Sequence, residues 1–118
     1  MSYPNATRVA FEALRIKAHG DISGSYAAVG NAFANPIRCI QITNNTDADM
    51  RFSFDGSTDH VFVPKASSVQ FNYESNKELP AGKLTQAINT TVYVKEDAGA
   101  PGAGSVYVMV FYGFTTGF

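Results

Sequence analysis

The sequence predicts an all-β protein: a single antiparallel β-sandwich, of the jelly-roll or immunoglobulin-like type, with about seven or eight strands. Apolar residues alternate with polar ones at a period of two in most segments of the chain. Turn-forming Gly, Pro, Asn and Asp residues separate these segments about every 8–12 positions. A length of 118 residues suits one domain, assigned to 1–118, and 10 Gly and 5 Pro argue against a helical bundle.

The first element, residues 9–18, is compatible with a helix or a strand. As a helix it has a poor apolar stripe. We favour a strand with a bulge-like switch of face in its middle. That switch gives two apolar sets: Val9, Phe11 and Ala13 before it, then Leu14, Ile16 and Ala18 after it. Residues 22–29 predict a further short strand, with a glycine inside it and Gly30 ending it.

The middle of the chain alternates clearly, so that one set of residues faces a core and the other faces solvent or a neighbour. The predicted inward sets are Ile40 and Ile42; Met50, Phe52 and Phe54; Val69, Phe71 and Tyr73; and Val92 and Val94. The last strand, residues 106–112, is apolar on both faces. Such a strand is expected to be covered on both sides, and a second subunit can supply one cover.

Charge is scarce, at 16% of residues with a net charge of −1, against an average of about 25% charged residues. We interpret this shortage as a sign that much of the surface faces other protein. A single cysteine excludes an internal disulfide and a multi-cysteine zinc site. We find no segment apolar enough for a membrane helix and no secretory signal. The single cysteine suits synthesis in a reducing cytosol.

Catalytic chemistry has few candidates in this sequence. Cys39 sits within a predicted strand and is expected to pack as a small hydrophobe, and only His19 and His60 could serve as imidazole bases. We therefore predict no enzyme activity, no catalytic residues and no cofactor. The loop 55–60 holds Asp55, Asp59 and His60, which could bind Ca²⁺, but its spacing does not match an EF-hand. Asx turns explain these aspartates better, so no metal is predicted.

Of the possible binding functions, the sequence argues against one and leaves another open. Arginines are dispersed and the charge balance is slightly acidic, so a dedicated nucleic-acid site is not expected. A receptor- or glycan-binding module, using exposed Tyr and Asn around the loop 55–60, stays open as the alternative function.

Several strand-and-turn segments of the sequence resemble those of a known class of proteins. NPIRCIQITNNTD at 35–47 leads into MRFSFDGSTDH at 50–60, followed by residues 63–68, 76–77, 92–95 and 104–108. Over roughly residues 22–113 the chain resembles small β-sandwich virion structural proteins of tailed bacteriophages. The resemblance implies a non-enzymatic role in the particle, as a capsid decoration (cement) protein or a head–tail joining (neck) protein. It also implies location in the virion.

Such a role works through symmetric protein–protein interfaces. We expect the chain to form homo-oligomers and to bind other virion proteins, such as the major capsid, portal, connector or tail proteins. Possible assembly arms lie at 1–7 and 113–118. Aromatic residues and Met are favoured in interface cores, which gives six interface candidates: Phe62, Tyr107, Met109, Phe111, Phe114 and Phe118.

Overall fold

The computed structural model describes residues 6–72 and 86–116, with side chains at 10–72 and 86–112. Apart from one 3-10 turn at His19–Asp21, the regular structure of these residues is β-sheet. The strands are β1 (Ala6–Phe11), β2 (Arg15–Ala18), β3 (Ala27–Ala28), β4 (Cys39–Thr46), β5 (Met50–Ser53), β6 (Val61–Val63), β7 (Ser67–Asn72), β8 (Tyr93–Glu96) and β9 (Gly104–Thr116).

Two antiparallel sheets pack against each other, which confirms the predicted all-β sandwich. Sheet A is five-stranded, in the order β1-β9-β4-β7, and β2 pairs with β9 on the same side as β1. Sheet B has four strands in the order β3-β8-β5-β6. Because β1 and β2 pair with successive parts of β9, they act as one broken strand.

The strand order is that of a jelly roll. Counting β1 and β2 as one strand, the chain forms an antiparallel ribbon with four pairs: β1/β2 with β9, β3 with β8, β4 with β7, and β5 with β6 at its tip. Winding this ribbon places its pairs alternately in the two sheets. Eight strands in two sheets of this kind are the jelly-roll arrangement, the first of the two predicted types.

The core lies between the sheets and follows the predicted period of two. Ile40 and Ile42 of β4 are fully buried, as are Phe52 of β5 and Val94 of β8. On β9 the residues facing this core are Val106, Val108 and Val110. Burying a branched aliphatic or aromatic side chain stabilises the fold by about 1.5–3 kcal/mol, so these alternating residues hold the sheets together.

Residues 9–18 form strands rather than a helix, as predicted, with a break at residues 12–14. Phe11 and Ile16 are five residues apart, so strict alternation would place them on opposite faces of sheet A. The break changes the phase. Phe11 pairs with Phe111 and Ile16 pairs with Tyr107, and both residues lie on the side of sheet A away from the core.

Arg15 fixes this break from the inner side. Its side chain is 8% exposed and forms an ion pair with Glu12, with 2.6 Å between Nη2 and Oε1. Its Nε donates to the Asn31 carbonyl at 2.9 Å, and its guanidinium lies 5.0 Å from the centre of the Phe33 ring. We call Glu12, Arg15, Asn31, Phe33 and Asn35 the Arg15 cluster.

The Glu12 carboxylate, like the Arg15 guanidinium, has hydrogen-bond partners within the chain. Its Oε2 accepts from the Ala34 backbone N–H at 3.1 Å and from Asn35 Nδ2 at 2.9 Å. Burial alone would raise the pKa of Glu12, but the hydrogen bonds from Arg15, Asn35 and Ala34 together with the Arg15 charge lower it. The Arg15 cluster therefore ties the break in the first strand to residues 31–35.

The strand predicted over residues 22–29 is wrong in extent, because only Ala27–Ala28 form a strand there. Ser23 and Ser25 form a local turn, in which the Ser25 N–H donates to Ser23 Oγ at 3.2 Å. A serine hydroxyl that binds the nearby backbone competes with strand pairing. Ile22 and Val29 are nevertheless buried in the core, from positions outside a strand.

Candidate functional site

The outer face of sheet A carries no charged side chain at its described outward positions on β2, β4, β7 and β9 or at Phe11. The strand registers place these residues in rows across the sheet. We call this surface the uncharged face; its members are Phe11, Ile16, Ala18, Cys39, Gln41, Thr43, Asn45, Ser68, Gln70, Asn72, Ser105, Tyr107, Met109 and Phe111.

The half of the uncharged face nearest β1 and β2 is apolar and open to solvent. Phe11 is 71% exposed, Ile16 53% and Met109 43%, while Tyr107 and Phe111 are half-buried. Phe11 and Phe111 meet edge to face, with 5.6 Å between ring centres. The other half, on β4 and β7, presents amides and hydroxyls. Exposed apolar side chains that adjoin in this way are typical of an interaction surface.

A small pocket of about 140 Å³ opens in the middle of this face. Phe11, Met109 and Phe111 form its apolar side, and Gln41 and Gln70 its amide side. Cys39 also lines it, and its buried Sγ lies 3.2 Å from Gln70 Nε2. The pocket volume suits one apolar side chain from a bound partner.

The outer face of sheet B differs, because charged groups there bind one another. Arg51 Nη1 lies 2.7 Å from Asp59 Oδ2, Arg51 Nε donates to Asp97, and Lys95 Nζ lies 3.2 Å from Asp59 Oδ1. The Tyr26 hydroxyl also donates to Asp59. We call this surface, made of Tyr26, Arg51, Asp59, Lys95 and Asp97, the charged face.

The charged face shifts the pKa of three of its members, and hydrogen bonds to Asp59 and Asp97 raise the pKa of Arg51. Hydrogen bonds from Tyr26, Arg51 and Lys95 lower the pKa of Asp59 to about 2. Burial, together with the hydrogen bond to Asp59, raises the pKa of Tyr26. Lys95 Nζ also lies 4.7 Å from the centre of the Tyr26 ring. The ionised groups of this face therefore have partners within the chain.

The structure brings three of the six predicted interface residues together: Tyr107, Met109 and Phe111, on the uncharged face. Phe62, 53% exposed, lies instead on the outer side of sheet B, paired with Arg51. Phe114 belongs to β9, opposite Arg8, in the part whose side chains are not described. Phe118 lies outside the described residues.

The predicted assembly arms are partly within the described backbone. Residues 113–116 continue β9 and pair with residues 6–9 of β1 as an antiparallel ribbon. Residues 1–5 and 117–118 lie outside the described residues. Residues 6 and 7 of the first predicted arm therefore pair with residues 116 and 115 of the second, whose residues 113 and 114 pair with Val9 and Arg8.

Phe11 and Ile16 were not among the predicted interface residues. Their alternation within residues 9–18 was visible in the sequence. Which face they occupy depends on the break at 12–14, and the contacts that set it come from residues 31–35.

The loop 55–60 folds around Asp55, as the Asx-turn interpretation predicts. For Asp59 that interpretation is wrong, because its carboxylate binds side chains of the charged face instead. Asp55 Oδ1 accepts from the backbone N–H groups of Thr58 at 2.8 Å and Ser57 at 2.9 Å, and from Ser53 Oγ at 2.8 Å. These hydrogen bonds hold the pKa of Asp55 well below its usual range. Within residues 6–72 and 86–116, no three His, Cys, Asp or Glu side chains are grouped to hold a metal ion.

The candidate catalytic residues lie apart. Cys39 is in sheet A, whereas His60 stands before β6 and its Nδ1 accepts from the Phe54 N–H at 3.0 Å. His19 Nδ1 lies 3.1 Å from the Gly104 carbonyl oxygen. Cys39 Sγ instead accepts a hydrogen bond from Gln70 Nε2 at 3.2 Å. The absence of enzyme activity stays a prediction.

The tyrosines near the loop 55–60, which the glycan-binding alternative would use, are partly covered. Tyr26 and Tyr93 are half-buried, and the Tyr93 ring packs 3.3 Å from the position that a side chain at Gly56 would take. The described residues contain no helix long and apolar enough to cross a membrane. No protein-family model, curated protein or solved structure matches the chain.

Proposed function

We propose that this chain is a non-enzymatic structural component of a tailed bacteriophage particle, acting as a capsid decoration protein or a head–tail joining protein. The observation that carries the proposal is the uncharged face, where Phe11, Ile16 and Met109 leave apolar surface exposed. Covering such surface contributes about 25 cal/mol per Å² removed from water. The face therefore gains free energy from a protein partner.

The phage assignment rests on the resemblance of the sequence segments, and the fold is compatible with it. Jelly rolls occur in viral capsid proteins and in lectins. A fold alone does not determine function, so this analogy supports the proposal without separating it from glycan binding. The uncharged face favours a protein partner, because its apolar half exposes Phe11, Ile16 and Met109 and its described outward positions hold no charged group to bind a sugar hydroxyl.

Deletion of this chain from the phage that encodes it tests the proposal. A decoration role predicts heads that assemble but lose DNA at a lower temperature than wild-type heads. A joining role predicts tailless or leaking heads. Complementation with the wild-type chain restores the particle in both cases. Heads and tails that remain stable and infectious without the chain would contradict both roles.

A further inference from the structure

We infer that the partner at the uncharged face is a second copy of this chain, packed face to face across a two-fold axis. The inference rests on the proposed function, because it takes the same face as the interface and names its occupant. In a two-fold interface the same patch meets itself, so a net charge on the patch would face an equal net charge on the second copy. The uncharged face avoids that repulsion.

The polar half of the face is also compatible with itself. Gln41 and Gln70 each carry an amide with donors and an acceptor, so an amide can pair with a second amide of the same type. A surface built for a charged partner would instead carry complementary charges, which steer association. On the charged face, by contrast, Arg51 and Lys95 already bind Asp59.

The apolar half of the uncharged face has both exposed side chains and a pocket. Phe11 and Ile16 stand out from the sheet, and the pocket beside Met109 has room for one side chain. A two-fold axis brings the projections of each copy over the recess of the other. Sheets that pack face to face lie about 10 Å apart with interleaved side chains, which is the contact this relief allows.

The size of the face fits such a dimer. Four strands about 4.8 Å apart, with eight paired residues rising about 3.4 Å each, give a flat footprint of about 500 Å². Because side chains protrude from the sheet, the solvent-accessible area of the face is larger than this flat footprint. Standard interfaces bury about 800 Å² on each partner, so a dimer through this face is of ordinary size.

Two matched substitutions test the arrangement. Met109→Lys places a charge at the centre of the uncharged face, and Phe62→Lys makes the same kind of change at an exposed strand residue of sheet B. Sedimentation velocity over a concentration series measures the dissociation constant of each. We expect a dimer for wild type, weakening by about 30-fold or more for Met109→Lys, and no change for Phe62→Lys.

A cross-link supplies the second measurement, independent of any disruptive charge. Cys39 is the single cysteine of the chain, so a Cys39→Ser background leaves one engineered thiol as the reporter. In that background, Gln41→Cys is expected to yield dimers with a short bis-maleimide, and Phe62→Cys is expected to yield none. Circular dichroism of each variant verifies that it is folded.

A wild-type monomer at every concentration would overturn the inference, as would a dimer that Phe62→Lys disrupts and Met109→Lys does not. Cross-linking through position 62 rather than 41 would also overturn it. A monomer whose attachment to particles still depends on Met109 would leave the proposed function standing with a virion protein as the occupant. A dimer that no particle retains would contradict the proposed function alone.

Discussion

The two outer faces of the sandwich satisfy their side chains in different ways. On the charged face, Asp59 accepts from Tyr26, Arg51 and Lys95, so these polar groups have partners within one copy of the chain. On the uncharged face, Phe11 and Met109 remain open to water. Exposed ion pairs gain little from a further partner, whereas exposed apolar groups gain from each Å² covered. We therefore propose the uncharged face, not the charged face, as the assembly surface.

The largest expected effect concerns the ion pair behind the uncharged face. Arg15→Met leaves the Glu12 carboxylate, 8% exposed, without its charged partner. Breaking one side of a buried ion pair destabilises a protein by about 3–5 kcal/mol. Urea denaturation measures the loss. Arg51→Met on the charged face is the matched control, and its loss is expected to be much smaller because the pair there is exposed. Equal losses would remove the distinction between the two sites.

A smaller effect is expected from Gly30→Ala, which disturbs the same Arg15 cluster. Gly30 has a φ of +72°, and a side-chain carbon there would lie 2.6 Å from Arg15 Cγ. A left-handed backbone conformation costs a non-glycine residue about 1–3 kcal/mol, and the displaced Arg15 adds to this cost. Gly20→Ala is the control, because no atom lies within 4 Å of its added carbon. Unchanged urea midpoints for both variants would show that the cluster is not tightly packed.

The pH dependence of stability tests the hydrogen bonds of the charged face. The pKa of Asp59 is about 2 in the folded chain and near 3.8 without its partners. A lowered carboxyl pKa contributes stability above the unfolded value, and that stability is lost as pH falls from about 4 toward about 2. We expect the urea midpoint to fall across this window. Asp59→Asn should lower the midpoint at neutral pH and flatten its fall in acid; an identical acid profile would contradict the role of Asp59.

The smallest expected effect is that of salt on the dissociation constant. This effect distinguishes association through the uncharged face from association through the charged face. At about 1 M ionic strength the Debye length is ~3 Å, so contacts between exposed charges are screened. Association through the uncharged face should hold its dissociation constant from low to high salt, as measured by sedimentation. Association that weakens steeply with salt would point to the charged face instead.

The period of two predicted much of the fold and part of the candidate site. The inward residues of β4, β5 and β8 follow from alternation, as do Val69 and Phe71 of β7, whereas Tyr73 of that predicted set lies outside the described residues. Asp55 forms the turn expected of its loop. Tyr107, Met109 and Phe111 were predicted as interface residues because aromatic side chains and Met are favoured in interface cores, and they share a face because they alternate with three valines. Since β9 is apolar on both sides, alternation alone could not say which side meets sheet B.

Long-range contacts account for what the sequence did not reveal. Phe62 lies on the charged face because β6 pairs with β5 opposite Arg51, a register set by tertiary structure. Phe11 and Ile16 share the uncharged face because Arg15 binds residue 31, sixteen positions further along the chain. Their local pattern contains no trace of that contact, so they were not predicted as interface residues.

The most direct test of the uncharged face is complementation of a phage lacking this chain with Met109→Lys or with Phe62→Lys. Quantitative mass spectrometry of purified particles measures how much of each variant is incorporated. The account predicts wild-type incorporation for Phe62→Lys and strongly reduced incorporation for Met109→Lys. Equal incorporation of the two variants, or loss of Phe62→Lys alone, would contradict the assignment of assembly to the uncharged face.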